Sequence, residues 1–129
     1  MKNGLIFLFF ASLLLLPPTG RGRFQVIGNR TASVGVFPYE KDSTIAFHFQ
    51  FVNAGDSLLT ITEVIPTCPC MDVEWTRNPL APGDTGNIHV NYHVDSPGHF
   101  KKMLTVLGNG YPEWDYIYVD GSAIEEAIE

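Results

Sequence analysis

The sequence is poor in cysteine, in basic residues and in charged residues overall, and its composition excludes several classes of protein. Two cysteines among 129 residues cannot build a disulfide-rich scaffold or a four-cysteine zinc site. Eight Lys and Arg against fourteen Asp and Glu leave a net charge of −6, which argues against nucleic acid as a partner. A charged fraction of 17% beside 45% hydrophobic residues excludes disorder as the main state.

Motifs of common catalytic and metal sites are also missing from the sequence. It contains no G-x-S-x-G, no H-E-x-x-H and no glycine-rich phosphate loop. His89 and His93 share a strand face but would lie about 13 Å apart there, too far to bind one ion together. His48 also falls on the polar side of its strand, so all three are expected at the surface. The sequence therefore predicts no enzyme, no metal site and no cofactor.

The N-terminus has the pattern of an export signal. Lys2 precedes an uncharged apolar run, Gly4–Leu16. Its length, about 13 residues, is that of a secretory signal's apolar region and is short of the roughly 20 that span a membrane. Residues 1–20 are predicted as a signal peptide cleaved after Gly20. The alternatives are a buried N-terminal helix and an uncleaved anchor, and only the anchor would bring the protein to a membrane. Export places the chain in the periplasm, on the cell surface or outside the cell.

The rest of the chain alternates between apolar and polar side chains in the manner of β-strands. Ile45, Phe47, Phe49 and Phe51 occupy every second position of one segment, a period at which a strand buries one face. About seven such segments are separated by turn clusters of Pro, Gly, Asn and Asp. From the side chains that share a parity, we predict a core of Phe47, Phe49, Phe51, Ile61, Ile88, Val90, Leu104 and Val106.

This pattern predicts an all-β protein, an immunoglobulin-like antiparallel β-sandwich of about seven strands. No amphipathic helix separates the strands, so the crossover connections of a parallel α/β fold are not available. The sandwich is predicted over residues 24–122, followed by an acidic C-terminal tail over residues 123–129.

Several short motifs follow one another in the order typical of one bacterial family. They are Phe47-x-Phe49-x-Phe51-x-Asn53-x-Gly55, Cys68-Pro69-Cys70, Pro82-Gly83-x-x-Gly86-x-Ile88-x-Val90 and Gly98-x-Phe100-x-Lys102. The series resembles the bacterial domain of unknown function 1573 family, whose members are exported and are expected to adopt an immunoglobulin-like sandwich. The family's usual cysteine segment is Ser-Cys-Gly-Cys-Thr, from which Pro69 and Met71 depart. The resemblance implies export and fold, and it brings no known reaction.

Cys68 and Cys70 form the disulfide or redox candidate of this sequence. In an extended strand their Cα atoms would lie about 6.6 Å apart, near the upper limit for a disulfide, so bridging requires a local turn. Four arrangements remain open. They are a local disulfide or inert pair, a two-thiolate site for a soft metal such as Cu(I), thiol–disulfide exchange, and an intermolecular link.

Trp114, Tyr116 and Tyr118 form the partner-binding candidate, because they share one face of the last predicted strand. Tyr and Trp dominate recognition hot spots, so an exposed stripe of this kind would be a binding face. In that arrangement Ile117 and Val119 face the core. The opposite arrangement, with the aromatic side chains in the core, also agrees with the pattern.

Together these features predict an exported, non-enzymatic immunoglobulin-like module. We expect it to bind or organise a partner in the bacterial cell envelope, either another envelope protein or a glycan. The alternative is a redox-active or soft-metal-binding protein that uses the Cys68-Pro69-Cys70 segment.

Overall fold

Eight β-strands and no helix make up the part of the chain that the computed structural model describes, residues 20–125. The strands are β1 (Phe24–Ile27), β2 (Thr31–Pro38), β3 (Ser43–Asn53), β4 (Ile61–Pro66), β5 (Met71–Trp75), β6 (Thr85–Val94), β7 (Gly98–Gly108) and β8 (Trp114–Ile124). The apolar run of the predicted signal peptide and residues 126–129 of the predicted tail lie outside the described residues. Within residues 20–125 no helix has the length and hydrophobicity to cross a membrane.

The strands form two four-stranded sheets, which we call sheet A and sheet B. Sheet A has the order β1-β3-β6-β5, and sheet B has the order β2-β8-β7-β4. Every neighbouring pair is antiparallel except β2 and β8, which run parallel. The predicted all-β sandwich is confirmed, with eight strands rather than about seven and with one mixed sheet.

The parallel pair follows from the way the chain changes sheets after β1. Only Gly28, Asn29 and Arg30 connect β1 in sheet A to β2 in sheet B, and Gly28 takes a positive φ of 90°. The chain crosses to sheet B within these three residues. β2 then follows β8 from Thr31 beside Tyr118 to Pro38 beside Ile124, so the two strands run in the same direction.

The core lies between the two sheets and follows the predicted parity. All eight predicted core residues are buried, and none is more than 5% exposed. Phe51, Ile88, Val90 and Leu104 are fully buried at 0%. Each such side chain contributes about 1.5–3 kcal/mol relative to an exposed one. The alternation of aromatic and aliphatic side chains in the sequence therefore identifies the interior correctly.

Residues 58–65 are rich in the β-branched and aliphatic side chains typical of a strand, but the strand itself begins later. β4 starts at Ile61, and Leu59 instead forms an isolated bridge with Leu80 of the β5–β6 loop. The two residues exchange backbone hydrogen bonds of 2.9 and 2.8 Å. Leu59 is buried at 1% exposure, so this crossing closes one end of the sandwich. Leu59 lies outside the β4–β7 ladder because its backbone is paired with Leu80 and not with a residue of β7.

Candidate functional site

The face of β8 that carries Trp114, Tyr116 and Tyr118 points away from the core. Ile117 and Val119 are fully buried between the sheets, whereas Trp114 is 54% and Tyr116 39% exposed. Tyr118 is partly exposed. Of the two arrangements that the sequence allows, the structure has the outward one. The three predicted partner-binding residues are therefore brought together on the outer surface of sheet B.

Apolar side chains of β7 and β4 extend this surface. In the β7–β8 register, Leu107 lies beside Trp114 and Met103 beside Tyr118. Thr105 of β7 lies between Tyr116 on one side and Ile65 of β4 on the other. Residues paired directly across a sheet share a face, and Ile65 is 42% exposed. We call this surface the aromatic face and define it by Ile65, Met103, Leu107, Trp114, Tyr116 and Tyr118.

Charged groups of both signs border the aromatic face. Arg30 is paired with Asp115 and also donates a hydrogen bond of 3.1 Å to the carbonyl oxygen of Tyr116. The Lys101 ammonium lies 5.3 Å from the centre of the Tyr118 ring, within the range of a cation–π contact. Asp120 is paired with Lys101 across the β7–β8 register. The surface thus has an apolar centre and a charged border.

Cys68 and Cys70 are joined as a disulfide in the connection between β4 and β5. Their Cα atoms lie 5.2 Å apart, closer than an extended strand allows, because the chain turns at this point. Both residues are half-buried and pack against the core. The backbone N–H of His93 donates a 2.8 Å hydrogen bond to the carbonyl oxygen of Cys70, which attaches the turn to β6.

The outer face of sheet A is polar and carries three exposed histidines, as the sequence predicts. The rings of His48 and His89 lie 4.6 Å apart between centroids. His93 contacts the Asp72 carboxylate at 2.8 Å and the Thr44 hydroxyl at 3.2 Å. Among residues 20–125, no three His, Cys, Asp or Glu side chains are arranged to hold a metal ion.

A cleft at one end of the sandwich is a feature that the sequence did not reveal. It has a volume of about 530 Å³ and is open to solvent. Its walls come from the segment before β1, the β3–β4 loop and the β7–β8 loop, three parts of the chain that are distant in sequence. The lining residues are Arg21, Gly22, Arg23, Ala54, Gly55, Asp56, Tyr111 and Pro112. Arg21 and Arg23 directly follow the predicted signal peptide, and nothing in their sequence context indicates that they line a cleft.

A comparison with known protein families gives a matching family for this chain. A family profile described as "Protein of unknown function (DUF1573)" matches residues 27–123. The chain belongs to this family. The resemblance inferred from the ordered motifs is confirmed, and the match covers almost the whole sandwich. A sequence comparison with curated proteins gave no match.

Solved structures share the fold of this family member at low sequence identity. A protein of unknown function from Porphyromonas gingivalis W83 superposes with a TM-score of 0.67 at 13% identity, over 84% of this chain and 50% of that one. The VesB protease of Vibrio cholerae superposes with a TM-score of 0.62 at 13% identity, over 80% of this chain and 32% of that one. This chain therefore spans half the length of the first protein and about a third of the second. At these identities the likeness carries the fold alone.

One further solved structure resembles this family member over most of the length of both proteins. The ASH/PapD-like domain 7 of human CEP192 superposes with a TM-score of 0.57 at 12% identity, over 87% of this chain and 91% of that domain. The likeness is consistent with a PapD-like variant of the immunoglobulin-like sandwich, and it agrees with the fold class expected from the strand pattern.

Proposed function

We propose that this chain is an exported, non-enzymatic immunoglobulin-like module that binds a protein of the bacterial cell envelope through its aromatic face. The observation that carries the proposal is the orientation of β8. Ile117 and Val119 supply the buried side of this strand, while Trp114 and Tyr116 remain exposed. Large aromatic side chains left in water on a flat sheet are typical of recognition surfaces.

The composition of the aromatic face favours a protein over a glycan as the partner. Interface centres in protein complexes are enriched in Tyr, Trp and Met and depleted of charge, with charged groups at the rim. The aromatic face has this arrangement, since aliphatic Leu107 and Met103 lie beside Trp114 and Tyr118. Charges of both signs, from Arg30, Lys101 and Asp115, stand at the border.

Export is supported by the N-terminal sequence and by the cysteine pair. Lys2 followed by the apolar run Gly4–Leu16 is the pattern of a secretory signal. The disulfide between Cys68 and Cys70 adds support, because disulfides persist in oxidising compartments and are rare in the cytosol. Fractionation of cells that express the full chain is expected to recover it outside the cytoplasm. Full-length protein in the cytoplasmic fraction would refute export.

Site-specific photo-crosslinking in the producing cells tests the binding surface. A photoreactive residue in place of Met103, which lies beside Tyr118 in the aromatic face, is expected to form a covalent product with one envelope protein. The matched control replaces Asn91, which is exposed on the outer face of sheet A, and is expected to give none.

The crosslink must also depend on the aromatic side chains. Trp114→Ala is expected to weaken it at least about tenfold, as truncation of an interface hot spot does, whereas His48→Ala on sheet A is expected to leave it unchanged. Equal products from positions 103 and 91 would contradict the proposed surface. Retention of the wild type on envelope polysaccharide without any protein crosslink would favour a glycan partner instead.

A second candidate function rests on the position of the Cys68–Cys70 disulfide. It closes a connection that is only half-buried, so a thiolate from solution can reach it, and accessible disulfides undergo exchange most readily. Counting free thiols on protein purified from its compartment under acid quench separates the two functions. A stable disulfide in every molecule supports the binding module, and a mixture of thiol and disulfide forms supports a redox role.

A further inference from the structure

The segment just before β1 is bound to the fold through Asp56. The backbone N–H groups of Gly20 and Arg21 both donate to one oxygen of the Asp56 carboxylate, at 3.0 and 3.1 Å. The N–H of Asp56 donates in return to the carbonyl oxygen of Arg21 at 3.1 Å. Two neighbouring backbone nitrogens at the start of the domain therefore converge on a single negative charge.

Residues 21–23 are integrated into the end of the sandwich. The carbonyl oxygen of Gly22 accepts a 2.9 Å hydrogen bond from Tyr111, and that of Arg23 accepts a 2.8 Å bond from Ala54. The fit is close, because a Cβ on Gly55 would lie 2.2 Å from the carbonyl oxygen of Arg21. Removing all three residues would leave hydrogen-bonding groups of both the β3–β4 loop and the β7–β8 loop without their partners.

These contacts distinguish between two small residues that precede candidate cleavage points. A signal peptidase cuts after a small side chain, and both Gly20 and Gly22 qualify by size. Cleavage after Gly22 would remove Arg21 and the bond that Gly22 makes to Tyr111. Cleavage after Gly20 would keep every one of these contacts except the bond from the Gly20 nitrogen itself.

We propose that a signal peptidase hydrolyses the peptide bond between Gly20 and Arg21, and that the α-ammonium so formed at Arg21 pairs with the carboxylate of Asp56. The water oxygen completes the Gly20 carboxylate, and both protons of that water are taken up by the Arg21 nitrogen, which changes from an amide N–H to an ammonium group. This inference rests on the export part of the proposed function. The hydrogen bond of 3.1 Å from a neutral amide to the carboxylate thereby becomes an ion pair, in which the donor as well as the acceptor carries a charge.

The pairing gives Asp56 a function in maturation. In the precursor, the carboxylate accepts hydrogen bonds from two neutral backbone amides. In the mature chain, it holds the new terminus against the β3–β4 loop, so the first residues of the domain stay in place after the signal peptide has left. Because Asp56 is exposed, the ion pair is modest and salt-sensitive.

Intact mass and N-terminal sequencing of the protein recovered from its export compartment test the cleaved bond. A mature chain that begins at Arg21 is expected, and an exported chain with any other first residue, or with residues 1–20 retained, overturns the inference. Neither of those results affects the proposed export or the aromatic face. Full-length protein confined to the cytoplasm would instead refute export itself.

Amide hydrogen exchange tests the ion pair in the mature chain. The amides of Ala54 and Tyr111 report whether residues 21–23 are in place, since they donate to Arg23 and Gly22. Asp56→Asn keeps the acceptor oxygen but removes its charge, and it is expected to speed both exchange rates about fivefold at low salt. The matched control is Glu113→Gln, an exposed acid at the same end, with no change expected.

The decisive comparison uses the same substitution in a chain with an N-terminal extension. When two glycines precede Gly20, the Arg21 nitrogen is an amide and has no charge to lose. Asp56→Asn is then expected to change the exchange rates less than it does in the mature chain, and high salt is expected to remove the difference between the two chains. Equal effects in both chains, or no effect in the mature one, would overturn the pairing.

Discussion

The side-chain amide of Asn53 donates a hydrogen bond of 2.8 Å to the carbonyl oxygen of Leu80, 27 positions later in the chain. The same nitrogen donates to the carbonyl oxygen of Ser57 at 2.7 Å. The Asn53 side-chain oxygen accepts from the backbone N–H groups of Arg23 and Gly55, at 3.1 and 3.0 Å. Both side-chain donors and both acceptor sites of Asn53 are therefore occupied. This residue, only 1% exposed, connects the segment before β1, the β3–β4 loop and the β5–β6 loop at one end of the sandwich.

Asn53→Ala is expected to lower the free energy of unfolding by about 3 kcal/mol. The substitution removes the partners of the Arg23 and Gly55 N–H groups and of the Ser57 carbonyl oxygen, all of them part-buried, and each such group costs roughly 1–3 kcal/mol. A urea melt beside the wild type measures the change. Asn91→Ala, on the exposed face of β6, is the control and should stay within about 0.5 kcal/mol. An unchanged midpoint for Asn53→Ala would show that water replaces the network at no cost.

Phe49→Ala is expected to cost about 3–5 kcal/mol, because Phe49 is 3% exposed between the two sheets and its removal leaves a cavity. Such a loss is a large share of the stability of a small domain. The neighbouring substitution Gln50→Ala alters the solvent side of the same strand and should change stability little. If both variants unfold at the wild-type denaturant midpoint, the assignment of the buried face is wrong.

The double change Cys68→Ser plus Cys70→Ser is expected to lower stability by no more than about 1–2 kcal/mol. A loop closed between residues two positions apart restrains the unfolded chain very little. A sandwich of about 100 residues holds together through its apolar core without such a bond. Urea melts of the variant and the wild type, each with and without reductant, measure the effect. A much larger loss would mean that the turn between β4 and β5 depends on the disulfide.

Tyr92 is expected to make the fold less stable at alkaline pH. Burial, with the nearby negative charge of Asp95 as a smaller cause, raises the pKa of the Tyr92 hydroxyl above its ordinary value. Above about pH 10 the unfolded chain releases this proton while the folded chain keeps it. Unfolding is therefore favoured as pH rises towards the folded-state pKa.

Tyr92→Phe removes this group and keeps the ring, which stacks on Phe100 at 4.3 Å. Urea melts at about pH 8 and about pH 11 are expected to show a smaller alkaline loss in Tyr92→Phe than in the wild type. Tyr111→Phe is the control, because Tyr111 is 70% exposed. Between the two pH values this variant should lose as much stability as the wild type. Equal losses in all three proteins would contradict the prediction.

Much of the interior was predictable because strand parity is a local property of the sequence. Polar residues separate the apolar positions of β3 and of β6, so only one face of each strand can be buried. The position of β2 beside β8 was not predictable in the same way. It depends on how three residues after β1 cross from one sheet to the other, and a hydrophobic pattern carries no information about that path.

The candidate site shows the same division between local pattern and tertiary arrangement. The aromatic stripe of Trp114, Tyr116 and Tyr118 is visible in the sequence, but β8 is apolar on both faces, so its orientation is not. Asn53 has the sequence context of an ordinary turn residue, next to Gly55 and Asp56. Its burial becomes apparent only when the loops that contain Leu80 and Arg23 are brought against it.

The sequence by itself determined the all-β class, the family, the core parity and the surface position of the histidines, because each depends on spacing along a single strand. Only the tertiary structure decided which side of β8 meets the opposite sheet, because both faces of this strand are apolar enough to be buried, and in the fold Ile117 and Val119 are buried while Trp114 and Tyr116 stay exposed. It also decided that Asp56 meets the backbone nitrogens of Gly20 and Arg21. Contacts between residues more than 30 positions apart arise from the path of the whole chain, which local patterns do not specify.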